Sequence, residues 1–275
     1  MPAREDAANL NTYRTAEVVA HYAGLDYLTA CEQFLFEHYL RPGMSIMDLG
    51  VGGGRTTPYL SSIASGYVGA DYSEEMIRVC RSKFPHLRFD VADAADLSQF
   101  ADGSFDAVVF SFNGVDQLVP DEKREDCLRE CHRVLKAGGV YIFSSHNPWS
   151  LFIDWQWDRD RLQRLARKVK DEGVFFDLTF AALTCGRIIL SIARSFAKAI
   201  PRAYRRLPTA AFWRGTGYIW DPAHGGLHTH YAVPAKVVAE LNQFDFRLLE
   251  VLPENHPQKS FEYSTRWYYY VFAKG

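Results

Sequence analysis

The sequence predicts an α/β fold: a doubly wound, seven-stranded and mostly parallel sheet with a helical lid insertion before its last strands. Three observations predict it. Short apolar runs alternate with helical stretches across roughly 100 residues, as in βαβ units. A glycine cluster stands where the first of these runs gives way to a helix. The alternation stops at Trp149 and sheet-like runs resume only beyond residue 218.

Residues 14–40 carry Val18, Val19, Tyr22, Leu25, Leu28, Cys31, Leu35 and Tyr39 at helical spacing, with a break point at Gly24, and Arg41-Pro42-Gly43 ends the stretch. SIMDLG then opens the sheet and GYVGAD follows near residue 70, with helices expected at 55–64 and 74–83. Such continuous apolar runs suit parallel strands covered on both faces. RFDVAD (88–93), FDAVVFSF (105–112) and GVYIFSSH (139–146) are three further strands, and 121–136 is an amphipathic helix stopped by Ala137-Gly138-Gly139. Two helical stretches, 158–171 and 174–200, replace the alternation next. Asp177, Arg187, Arg194 and Lys198 interrupt the second, which argues against a membrane span. YIW, LHTHYAV, a helix at 234–243, FRLLEVL and RWYYYVFAKG complete the chain, the last two as a hairpin that closes the sheet. The aromatics Phe261, Tyr263 and Trp267 to Tyr270 read as that closing strand with one packed face rather than as a binding pocket. The expected units are therefore 1–148, N-terminal helices and a ligand-binding α/β core; 149–218, a helical lid; and 219–275, a C-terminal part completing the sheet.

The composition is that of a folded globular chain: of 275 residues, 48% are hydrophobic and 23% charged. The five cysteines are odd in number and lack CxxC spacing, which argues against a disulfide framework or a structural zinc site; Cys127 and Cys131 are expected in the core. The N-terminus has acidic residues and no apolar run of the secretory type, so a cytoplasmic location is expected. Between Arg159 and Arg206, twelve Lys or Arg stand against four Asp or Glu, although the whole chain carries −2. A solvated helix face, an anionic acceptor, or peripheral membrane contact would each account for that basic lid. The slightly acidic total and the absence of an RNA-binding pattern argue against nucleic acid.

IMDLGVGGG, residues 46–54, is the strongest local signal. A turn from a buried strand into a helix, with its backbone against a ligand, rejects a Cβ, so Gly50, Gly52 and Gly54 let a cofactor lie on the main chain. A dinucleotide fingerprint needs GxGxxG, but counting from Gly50 its third glycine position falls on Arg55. Asp48 lies just ahead of the loop. Its charge would repel phosphates and attract the cationic amino acid end of S-adenosylmethionine.

On these residues the stretch 44–145 resembles the core of the class I S-adenosylmethionine-dependent methyltransferases, a Rossmann-like fold. The resemblance implies that Asp48, Gly50, Gly52 and Gly54 surround the homocysteine part of the cofactor. It implies that Asp71, in YVGADYSEEMI, accepts hydrogen bonds from the ribose hydroxyls, with Tyr72 and Met76 packing the adenine. Asp93, in VADAADL, would bind the adenine amino group, and Ala94 would supply a backbone N–H. Phe110, Ser111 and Asn113 end the fourth strand where the family's methyl group meets its acceptor. Tyr13 and Tyr22 resemble aromatic residues that cover the cofactor. ECHRVLKAGGVYIF matches the helix and turn before the fifth strand.

The resulting expectation is an enzyme that methylates the oxygen or nitrogen of a small-molecule acceptor: an anionic, sugar or secondary-metabolite compound. Ligands of open α/β sheets sit at the carboxyl ends of strands, so His146 and Asn147 should face the acceptor, His146 as general base if a hydroxyl is methylated. His228 and His230 share a face of one strand and are expected to touch substrate; with His146 and His224 they have the makings of a metal site, but no metal is expected. A nicotinamide oxidoreductase or a non-catalytic methyltransferase-like partner protein are the alternatives. The glycine spacing opposes the first, and the intact glycine loop and Asp71 oppose the second.

Overall fold

The computed structural model describes residues 2–149, 214–221, 227–258 and 265–275. Three helices lead in: α1 (Pro2–Tyr13), α2 (Ala16–Ala23) and α3 (Ala30–Tyr39). The core then alternates β1 (Ser45–Leu49), α4 (Thr57–Ile63), β2 (Gly66–Asp71), α5 (Glu74–Lys83), β3 (Arg88–Val91) and β4 (Phe105–Phe110). A 3-10 turn at Gly114–Gln117, α6 (Asp121–Val134) and β5 (Leu135–His146) follow. After residue 213 come β6 (Thr216–Asp221), β7 (Leu227–Ala232), α7 (Pro234–Asn242), β8 (Phe246–Pro253) and β9 (Trp267–Lys274).

Seven strands form one sheet in the order β3-β2-β1-β4-β5-β9-β8. β1 to β5 pair in parallel, and β9 runs antiparallel to both β5 and β8, so the sheet is mostly parallel with one reversed strand. The chain leaves β1 toward β2 and returns through β4 on β1's other side. That reversal opens a crevice at the carboxyl ends of β1 and β4.

Helix ends are written locally. Thr29 and Glu32 form a reciprocal capping box at the start of α3. Ser73 caps α5, which carries Glu74 and Glu75 in its first turn and Arg81 and Lys83 in its last, all complementing the helix dipole. Apolar clusters cover both faces of the sheet. On one, Cys127, Leu128 and Cys131 of α6 and Val237 and Leu241 of α7 pack on Val108, Phe143, Tyr270 and Phe272. On the other, Leu35, Leu60 and Ile77 pack on Ile46, Val109, Ile142 and Val271. Tyr268, Tyr270 and Phe272 thus pack into one face of a closing strand, as expected, while Phe261 and Tyr263 lie outside the described residues.

Two differences from the sequence reading are informative. α6 ends at Val134 and passes at once into extended Leu135, which pairs with Phe105 before the register shifts; the helix therefore stops two residues early and the strand begins four residues early. α1 was not legible because it docks through polar atoms. Fully buried Asn9 donates to the Gln117 carbonyl at 3.1 Å and clips both the N–H and C=O of His228, at 3.0 and 2.9 Å. β6 and β7 pair with each other in a separate ribbon. Of the expected lid, only Trp149 and residues 214–218 are described; the basic run Arg159–Arg206 and His224 lie outside the described residues. No helix among the described residues is long and apolar enough to cross a membrane.

Candidate functional site

The crevice predicted by the topology is a cleft of about 960 Å³ including its mouth. Its floor is the loop after β1. Gly50 takes φ +63°, and a Cβ built there would stand 2.4 Å from Phe110 Cε2, so only glycine lets backbone and Phe110 ring share this wall. Gly53, which the motif reading passed over, is pressed against α2: its Cβ would lie 2.4 Å from the Tyr22 carbonyl oxygen. Gly54 does not line the cleft. It packs beneath α5, against Phe84 and Cys80.

Two buried carboxylates stand at the strand ends around this loop. Asp48 accepts from the Thr56 hydroxyl at 2.7 Å and the Tyr67 hydroxyl at 2.8 Å. Asp71 accepts from the Gly52 N–H and the Ser73 N–H, both at 2.9 Å. Burial outweighs these donors in both cases and pushes each carboxyl up to about 6. Tyr13, Tyr22, Tyr72, Met76, Asp93, Ala94, Phe110 and Ser111 complete the wall. The Tyr13 ring lies 5.9 Å from that of Tyr22 and 6.1 Å from that of Tyr72, forming an aromatic cover. The buried Tyr72 hydroxyl has no partner among the described residues. Asp93 is more exposed; one oxygen pairs with Lys123 at 2.8 Å and the other accepts the Ala95 N–H at 3.0 Å. Lys123 also grips Asp6 of α1, tying that helix across the cleft.

Arg55, noticed in the sequence only as the residue that breaks the dinucleotide spacing, also lines the cleft. Its guanidinium makes two hydrogen bonds, at 2.7 and 2.5 Å, to the fully buried Glu32 of α3. It also lies 4.1 Å over the Phe112 ring. Phe112 and Asn113 both adopt left-handed backbone, with φ of 56° and 60°. Such strain costs about 1–3 kcal/mol per non-glycine residue and persists only where the surroundings enforce it. Here the Arg55 contact and a 2.8 Å bond from the Asn113 N–H to Ser144 Oγ do so.

Behind this strained corner lies a polar cluster centred on Asp116, which the sequence reading missed. Asp116 is fully buried on the 3-10 turn. Its Oδ2 meets His146 Nδ1 at 2.8 Å and accepts the His146 N–H at 2.6 Å; its Oδ1 accepts from Ser145 Oγ at 2.8 Å. Arg124 Nη1 stands 3.4 Å and His230 Nδ1 3.8 Å from Oδ1. Burial opposes the charge, but the hydrogen bonds from His146, with the His230 ring nearby and the charge of Arg124, outweigh it and hold the carboxyl well below the usual range. An ionised Asp116 makes Nδ1 the protonated nitrogen of neutral His146, so Nε2 keeps its lone pair, which the Asn113 amide approaches at 3.2 Å.

Asn113, His146 and His230 are therefore brought together, directly behind the cleft wall formed by Phe112 and Gly114. Asn147 and His228 stand elsewhere. The Asn147 amide is buried and donates to the Thr265 carbonyl at 3.0 Å while accepting the Trp149 N–H at 3.1 Å. The His228 backbone holds Asn9. Among the described residues no group of three or more His, Cys, Asp or Glu is placed to hold a metal ion.

Residues 47–143 match the family model described as a methyltransferase domain. A demethylmenaquinone methyltransferase of Beutenbergia cavernae is 35% identical over 114 residues, which cover 41% of this chain and 45% of that protein. An arsenite methyltransferase of Aquipseudomonas alcaligenes is 37% identical over 119 residues, covering 38% of this chain and 33% of that one. The chain thus spans half or less of the length of these curated relatives. Among solved structures, the CcbJ methyltransferase from Streptomyces caelestis superposes with a TM-score of 0.58 at 17% identity, covering 96% of this chain and 98% of that one. A methyltransferase from Methanosarcina mazei gives 0.54 at 19% identity, covering 91% and 99%. These two likenesses establish the fold.

Proposed function

From the premise that residues 47–143 are a class I S-adenosylmethionine-dependent methyltransferase domain, we propose that the chain methylates a small-molecule acceptor held beside His146. The observation that carries this reading is the cleft itself: a bare-backbone loop at Gly50 and Gly52 with two desolvated carboxylates beside it. These features fit S-adenosylmethionine. Asp71 would accept hydrogen bonds from the ribose hydroxyls and Asp48 would pair with the cationic amino acid end; donors to the one and opposite charge at the other lower the cost of keeping both carboxylates ionised. Asp93, the Ala94 N–H, Tyr72 and Met76 would hold the adenine, and Phe110 would border the methyl group. A carboxylate pair of this kind, without a dinucleotide spacing, opposes a phosphate-rich cofactor.

Bound S-adenosylmethionine supplies a methyl group on a sulfonium. The chain's own residues supply position and proton handling. The strained turn at Phe112 and Asn113 brings the acceptor side against the cleft, and His146 Nε2, held by Asp116 through the other ring nitrogen, takes the proton of an acceptor hydroxyl. A hydroxyl acceptor uses such a base most directly, since it is a poor nucleophile until its proton begins to leave. The family match ends at Phe143, short of His146, so the acceptors named for the relatives are not carried over to this chain.

Calorimetric titration with S-adenosylmethionine, S-adenosylhomocysteine and NADH in parallel tests the reading. Micromolar binding of the two adenosyl ligands, and none of NADH, is expected; binding of NADH, or of nothing, overturns it.

A further inference from the structure

The cluster behind the cleft does not end at Asp116. Arg124 of α6, at 1% exposure, donates from Nε and Nη2 to the two carboxylate oxygens of Glu240 on α7, at 2.8 and 3.1 Å. Its Nη1 donates to the Val115 carbonyl at 3.0 Å, fixing the turn that carries Asp116. The line Asn113, His146, Asp116, Arg124, Glu240 therefore runs from the cleft wall to the outer helix of the C-terminal part.

Its charges are unequal. Asp116 and Glu240 are two carboxylates against one guanidinium, so with neutral histidines the cluster holds one unmatched negative charge. Resting on the reading of His146 as the base, we propose that Arg124 and Glu240 are positioning residues: Arg124 fixes Asp116 behind the ring, and Glu240 supplies the negative charge that makes a proton on Nε2 favourable. When the acceptor's O–H bond breaks, its electron pair stays on oxygen and the proton goes to Nε2; the imidazolium then neutralises the buried cluster. Without Glu240 the same proton would leave a buried excess of positive charge, which low-dielectric surroundings penalise. A purely structural Arg124–Glu240 pair would hold α6 to α7 and leave the ring's protonation unchanged.

The titratable groups that face this ring and its carboxylate come from every neighbouring element. Among the described residues they are Arg124 of α6, His230 and Tyr231 of β7, the Tyr231 ring 4.9 Å from that of His146, Glu240 of α7, Glu254 after β8, Tyr270 of β9 and Tyr218 of β6, the last beside Arg124. Only Glu240 reaches Asp116 through a guanidinium, so its substitution is the discriminating one.

The test needs no acceptor. In the full chain labelled with 15N-histidine, imidazole nitrogen shifts are followed from pH 5 to pH 8, with His146 assigned by its loss in His146→Gln. The wild type should show Nδ1 protonated and Nε2 bare in the neutral ring. Glu240→Gln, which keeps size and hydrogen bonding, should lower the ring's proton affinity about threefold to tenfold, by Coulomb's law at an effective dielectric near 20; Glu240→Asp, which keeps the charge, should move it far less. Arg124→Gln should shift it the opposite way, and if that variant does not fold the Glu240 pair decides alone. An unmoved or oppositely moved Glu240→Gln titration, or a wild-type ring protonated on Nε2, overturns the proposal. Calorimetry with S-adenosylmethionine separates the two readings: equal binding by wild type and Glu240→Gln leaves the methyltransferase reading standing whatever the ring does, and absent binding by both sinks that reading alone.

Discussion

The cleft under the glycine loop and the cluster behind Phe112 occupy the same end of the sheet, but they are built of different material. The floor of the cleft is main chain. Its shape comes from a loop in which Gly50 and Gly52 take left-handed backbone, and Asp71 is held by two backbone N–H groups. The cluster is side chains from distant elements: Asn113 and Asp116 on a turn, Arg124 on α6, His146 on β5, His230 on β7 and Glu240 on α7. A backbone site fails when one atom is added to it. A side-chain cluster fails when a charge is removed.

The sharpest way to break that contrast is Gly53→Ala. The added methyl would fall 2.4 Å from the Tyr22 oxygen and 2.6 Å from the Ala23 Cα, and both are backbone atoms that no rotamer change can clear. α2 must lift from the loop and carry Tyr22 out of the cleft wall. Affinity for S-adenosylmethionine should fall by about 100-fold or more, some 3 kcal/mol, in a calorimetric titration. An unchanged affinity would mean that α2 is no part of the site.

A crossed pair of substitutions sharpens the contrast next. Asp71→Ala removes a carboxylate from the cleft and should cost about 2–4 kcal/mol of cofactor binding, the scale of one or two charge-assisted hydrogen bonds. His146→Ala should leave that binding untouched and slow turnover by about 100-fold. Loss of cofactor affinity in the His146 variant would show that the two regions are one site rather than neighbours.

The same contrast explains what could be read without coordinates. The strand-and-helix alternation, the glycine loop, Asp71 and the β8–β9 closure were legible because each is written in a short run whose neighbours in sequence are its neighbours in space. His146 stands out in the sequence by its place at the end of a strand, where the structure also puts it. Asp116 was not, since nothing within the run GVDQL marks a carboxylate whose partners come from β5, α6 and β7; the helical spacing of Arg124 hid a buried cation just as well. α1 escaped for a related reason: a helix docked by Asn9, through amide hydrogen bonds rather than an apolar stripe, has no periodicity to detect.

The smallest expected effect is a pH dependence that belongs to the cleft. Asp48 and Asp71 titrate at about 6 when folded, because burial disfavours their charge, and near 4 when unfolded. Between those values the folded chain binds more protons than the unfolded one, so stability falls as pH rises from about 4 to about 6 and levels off above. Asp116 behaves oppositely, but its carboxyl is held below its unfolded value, so its contribution is complete above about pH 4 and is lost only on further acidification. The unliganded protein should therefore be more stable at pH 5 than at pH 7.5, by on the order of 1–2 kcal/mol for each cleft carboxylate, and Asp71→Asn should remove about half of that difference. Thermal unfolding across this range checks it. Saturating S-adenosylmethionine should flatten or reverse the slope, because a ligand that pairs with ionised carboxylates favours the higher pH. If the slopes of wild type and Asp71→Asn coincide, the cleft does not hold Asp71 as a desolvated carboxylate, and the distinction between a backbone-built cleft and a charge-built cluster loses its electrostatic half.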